Sequence, residues 1–165
     1  MDYKFTEQDK LCRVLYQDSD VDTRGFMTNA SVMRRDLLSE VSGLSVDVKR
    51  LICVEELTSR IESQQLVTKE KQPEKREKVF VATFFIDALL EIVDDDDDEK
   101  MFEVFYSPVV KDGTTINPAH CHIRCCKRNK EKPYYNEARG KLQELFKGME
   151  HLNVFLKRCF DYDLP

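Results

Sequence analysis

Asn136-Glu-Ala-Arg-Gly-Lys-Leu-Gln-Glu-Leu-Phe-Lys-Gly-Met-Glu-His-Leu-Asn-Val-Phe-Leu-Lys-Arg-Cys-Phe160 is the most periodic stretch of the chain. Ala138, Leu142, Leu145, Met149, Leu152, Leu156 and Cys159 recur at steps of three and four, the spacing of an apolar stripe along one helix side. Phe146, Phe155 and Phe160 widen that stripe beyond a two-helix seam. One continuous helix here would be about 37 Å long. An eight-residue strand spans only about 25 Å. The lengths therefore predict a lid that overhangs a sheet, with Leu152, Phe155, Leu156 and Phe160 left for another protein chain. A kink at Gly148 would shorten the overhang.

Working back from that helix, residues 79–165 read as an antiparallel meander of about three strands beneath it. Val79-Phe-Val-Ala-Thr-Phe-Phe-Ile is β-branched and aromatic, a strand composition. Ala88 to Val93 either extends it or forms a helical turn. Asp94 to Asp98 with Glu99 is an uninterrupted acidic run, read as an exposed connection. Met101 to Val110 returns as the second strand, and Lys111-Asp-Gly-Thr is an Asp-Gly turn. Ala119 to Lys127 is the third strand. Alternation places His120, His122, Arg124 and Cys126 on one side and Cys121, Ile123 and Cys125 in the core. Arg124 interrupts the first set, and no second spaced ligand pair completes a zinc site, so a structural strand is expected.

Residues 1–67 read as a helical N-terminal part, with helices over about 7–16, 29–42 and 46–66. Leu44, Val46 and Val48 alternate with polar residues and admit a strand at the start of the third. Residues 68–78, rich in Lys and Glu with one Pro, read as a polar linker. The whole is an α+β chain, one compact unit of N-terminal helices, antiparallel sheet and C-terminal helix.

Asp18-Ser-Asp-Val-Asp-Thr-Arg-Gly-Phe-Met-Thr resembles an EF-hand calcium loop. Asp20, Asp22 and Gly25 then take the first, third and sixth positions. The resemblance implies a divalent-metal-responsive protein using Asp18, Asp20 and Asp22. Arg24 stands at the fifth position and Ser31 at the twelfth, where oxygen ligands and a bidentate carboxylate are needed, so an ordinary acidic loop is the competing reading.

Composition sets the function classes. The chain has 165 residues, 31 acidic against 26 basic, for a net charge of -5. That balance disfavours general binding to nucleic acid or anionic membranes. One local exception is Arg124, Lys127, Arg128, Lys130 and Lys132 beside Tyr134 and Tyr135, an alternative nucleic-acid surface. The acidic run could instead meet this basic loop, or support self-association. Met1 to Lys10 lacks the apolar stretch of a secretory leader, and no apolar run reaches membrane-spanning length. The 6 cysteines then read as reduced thiols in the cytoplasm or nucleus. No nucleophile elbow, phosphate loop or paired-carboxylate signature is present. The expectation is a non-catalytic intracellular interaction module, an adaptor or small complex subunit, with no cofactor.

Overall fold

The computed structural model describes residues 3–66 and 79–164, so the linker expected at 68–78 lies outside the described residues. The α+β class holds, but its arrangement differs from a three-strand meander. A six-stranded antiparallel sheet runs in the order β4-β7-β2-β1-β3-β8. Its strands are β1 (Lys10–Tyr16), β2 (Leu44–Val48), β3 (Val79–Phe85), β4 (Phe102–Tyr106), β7 (His120–Cys125) and β8 (Glu150–His151). A separate two-stranded ribbon, β5 (Val109–Lys111) and β6 (Thr114–Asn117), continues the β4–β7 hairpin. Helices α1 (Arg34–Leu38), α2 (Val54–Leu66), α3 (Ile86–Leu90), α4 (Lys132–Phe146) and α5 (Leu152–Phe160) complete the described elements.

The N-terminal part is therefore not purely helical. The stretch expected as a helix over 7–16 is β1, paired residue for residue with β3 from Lys10↔Phe85 to Tyr16↔Val79. Both faces of β1 meet a core: Leu11 and Leu15 on one side, Cys12 on the other. A strand covered on both faces reads as a nearly continuous apolar run, which at Leu11, Val14 and Leu15 also satisfies helical spacing. Likewise 44–48 is the strand β2, and the third helix begins only at Val54. The helix expected over 29–42 reduces to a 3-10 turn and the five-residue α1.

The largest correction concerns 136–160. The chain forms α4, breaks at Lys147-Gly148-Met149, contributes Glu150 and His151 as an edge strand on β3, and only then starts α5. Ala138, Leu142 and Phe146 bury in the core beneath one sheet face, with Leu11, Ala82 and Phe84. Leu152, Phe155 and Leu156 bury against Val79 and Val81 on the opposite face, beside Leu57 and Ile61 of α2. Passing from one face to the other requires the chain to round the sheet edge. As β8 it does so while pairing with Phe80 and Val81 of β3.

Gly113 and Gly43 sit where geometry requires glycine or favours it. Asp112 (φ 50°) and Gly113 (φ 77°) occupy the left-handed region together, as the two-residue turn between β5 and β6 requires. Gly43 lies where a Cβ would come 2.6 Å from the Ile123 carbonyl oxygen and 3.0 Å from His122 Cβ. A backbone oxygen cannot step aside as a side chain can. Gly43→Ala is expected to lower stability by roughly 1–3 kcal/mol, as overpacking does. Urea denaturation checks it, and an unchanged midpoint would refute the close approach.

Candidate interaction surface

The core under α2 and α5 takes its sheet residues from β1 and β3. On that same side, among the described residues, the half of the sheet made by β2, β7 and β4 contributes nothing to this cluster. Its outward positions follow from the register. Asp47 pairs with His120, Ser45 with His122, Phe105 with His122 and Glu103 with Arg124.

Polar and aromatic contacts tie this half-face together. His120 Nδ1 donates to the Ser107 carbonyl at 2.6 Å, which leaves Nε2 to accept from Ser45 Oγ at 3.3 Å. His122 Nδ1 donates to the Gly43 carbonyl at 3.2 Å. The Phe105 ring stacks on His122 at 5.2 Å, and the Arg124 guanidinium lies 4.4 Å from the Phe105 centroid. Arg124 and Arg128 share Glu103, and Arg124 also donates to the Glu40 carbonyl. Beneath them Asp47 is buried, accepting from Arg60 at 2.8 Å and from Asn117 at 3.0 Å. The adjoining ribbon adds three exposed apolar side chains, Val109, Val110 and Ile116, none of them in a core cluster.

Burial, with the nearby Arg124 charge, pushes the His122 imidazole below its ordinary value, against the opposing hydrogen bond to Gly43 and the Asp36 charge. A base depressed in the folded state binds fewer protons there than in the unfolded chain. Its stabilising share is complete above the unfolded value of about 6.5 and is lost as pH falls below that toward the folded value, at up to about 1.4 kcal/mol per pH unit. The urea midpoint should therefore drop further between pH 7.5 and 5.5 in the wild type than in His122→Asn. Equal drops would remove His122 as the cause.

The other sequence-derived sites are placed differently. Leu152, Phe155 and Leu156 are buried within the chain, and Phe160 packs beside them, so the stripe expected to face a partner is covered internally. The basic, aromatic patch is divided. Tyr134 and Tyr135 are interior residues of α4, and Tyr135 Oη donates to the Arg128 carbonyl at 2.7 Å. Lys127 is bound by Asp94, Asp97 and Glu99, so the acidic run does meet the basic loop. Lys130 and Lys132 stay exposed. A stacking platform for bases is thus missing from this patch as it stands, because the rings that would form it fill the core.

In the 18–31 loop the carboxylates turn apart. Asp20 is buried and accepts from the Tyr16 amide at 2.9 Å. Burial raises its carboxyl above the usual range, against that bond and the Arg13 charge. Asp22 caps the amides of Arg24 and Phe26 and pairs with Arg24, and Asp18 points outward. Among the described residues no three His, Cys, Asp or Glu side chains gather as a metal-binding group.

Sequence reading found His120, His122 and Arg124 and their common face. It did not single out Ser45, Asp47, Glu103 or Phe105, which come from two other strands and join them only through register. The ribbon was signalled by Asp112-Gly113, and its exposed valines were read as part of a longer strand. Among the described residues no helix is long and apolar enough to cross a membrane. Comparison of the chain with protein-family models, with curated proteins and with solved structures finds no match.

Proposed function

We propose that this chain is a non-catalytic protein-interaction module, and that another protein docks on the β2–β7–β4 half-face and the β5–β6 ribbon. The observation that carries this reading is the ribbon. It stands outside both cores and presents Val109, Val110 and Ile116 to solvent, and the β4–β7 hairpin that it continues carries the Arg124 guanidinium over the Phe105 ring. Apolar side chains on a projecting hairpin, rimmed by polar groups, are the composition of a docking patch, and arginine and aromatic residues supply its anchors. β4 adds a sheet edge five residues long. The proposal includes a reducing compartment, cytoplasm or nucleus. All six cysteines are free, and burial pushes the thiols of Cys12 and Cys125 up to about 12, which keeps them protonated and inert.

A photo-crosslinking side chain at Phe105 or Ile116 tests the reading in extract of the source cells. The same partner should be captured from both positions and not from Glu144 on α4. Val110→Lys should abolish capture. Light scattering of the purified chain identifies the case in which the partner is a second copy. No capture from either position, or equal capture from Glu144, would overturn the assignment.

A further inference from the structure

Across the width of the sheet from the ribbon, toward the edge where the chain enters β8, a cavity of about 260 Å³ opens between three elements. Lys10 enters it from the start of β1, Lys49 from the turn after β2, and Arg158 from α5, with Thr83 and Phe85 of β3 forming its wall. Glu150 is the one carboxylate in the lining, and it is held by Arg158. Three cations against one anion leave the cavity with a surplus of two positive charges.

Some lysines elsewhere are neutralised locally: Lys127 is held by three carboxylates, and Lys141 and Lys157 by two each. Among the described residues neither Lys10 nor Lys49 is in an ion pair. The Lys10 ammonium lies instead 4.4 Å from the centre of the Phe85 ring, which is 49% exposed. Bringing like charges to one cavity costs repulsion that a bound dianion would reverse.

The geometry points to an oxyanion site that takes the phosphoryl group of a small phosphate monoester, its organic part lying on Phe85. Arg158 and the two lysines would supply charge-assisted hydrogen bonds to the phosphoryl oxygens, and the Thr83 hydroxyl a neutral donor. The volume limits the ligand. Pockets for drug-sized molecules run to roughly 300–1,000 Å³, so this cavity fits a monoester with a ring-sized substituent and not a dinucleotide. The site shares no residue with the proposed docking surface, and its test stands apart from that reading.

The test is a titration followed by amide chemical shifts, with inorganic phosphate and phenyl phosphate as probes at constant ionic strength. Saturable shifts should centre on Lys10, Thr83, Gly148 and Arg158, with phenyl phosphate the tighter binder. Lys10→Gln and Lys49→Gln should each weaken binding by roughly three- to tenfold, and Lys130→Gln should leave it unchanged. Lys49→Gln removes no ion pair, so a fold defect in Arg158→Gln would not decide the question. Shifts spread over surface lysines, an equal loss in Lys130→Gln, or no saturation would overturn the site. A phosphotyrosine peptide binding far tighter than phenyl phosphate would overturn the small-molecule assignment.

Discussion

Replacing Phe155 with alanine is expected to cost about 3–5 kcal/mol of folding stability, the range for deleting a buried aromatic side chain. The expectation follows from where α5 lies. Phe155 is 0% exposed, packs edge-on against Phe160 at 5.7 Å between ring centres, and belongs to the cluster of Leu57, Ile61, Val79 and Val81. Its loss would leave a void among residues of two strands and two helices, which cannot all relax into it. Val154, one residue away and 49% exposed, is the internal control, and Val154→Ala should shift stability by less than about 0.5 kcal/mol. Urea denaturation of both variants gives the comparison. A single uninterrupted helix whose end faced a partner would give the opposite pattern in the isolated chain, with Phe155→Ala nearly neutral. A loss below about 1 kcal/mol would therefore reject the placement of α5 on the second sheet face.

The same region shows what a sequence can and cannot reveal. The apolar residues of 136–160 do keep helical phase on both sides of the break, and α4 and α5 are both helices. Periodicity cannot tell which side of a sheet each half covers, because stripe spacing stays in phase across Met149 while the structure inserts two extended residues. Gly148 carried the only local signal. At the N-terminus the failure has another cause. β1 lies in the middle of the sheet with cores above and below, so the alternation that marks a half-exposed strand is absent. β7 was legible because one of its faces carries His120, His122 and Arg124 while the other is buried, leaving a period of two. The Asp112-Gly113 turn was legible because it needs two residues with positive φ. The attraction between the acidic run and Lys127 was legible as charge. The half-face itself was not, since Asp47, Phe105 and His120 lie far apart in the chain and meet only through pairing of three strands.

Asp47→Ala is expected to cost about 3 kcal/mol, the lower end for removing one partner of a buried ion pair. Asp47 is 2% exposed, whereas the Arg60 side chain retains 28%, so water can reach the orphaned guanidinium and soften the loss. Burial alone would lower the Arg60 guanidinium. The charges and hydrogen bonds of Asp47 and Glu56 outweigh it and raise it instead. Removing Asp47 also strands the Asn117 amide, which donates to it at 3.0 Å. Asn117 in turn accepts from the Ala119 amide at 3.0 Å, fixing the corner where β6 turns into β7. The substitution should thus act locally as well as globally. Amide exchange in Val109 to Asn117 should accelerate more than in β3, and capture from Ile116 should weaken because the ribbon no longer holds one orientation. Asp47→Val combined with Arg60→Met should recover much of the stability, since a packed apolar pair of similar size often matches a buried ion pair. It should not restore slow exchange in the ribbon, because Asn117 still lacks its acceptor. A double variant as unstable as Asp47→Ala would show that packing, not the uncompensated charge, sets the cost. Unchanged ribbon exchange in either variant would separate Asp47 from the docking surface.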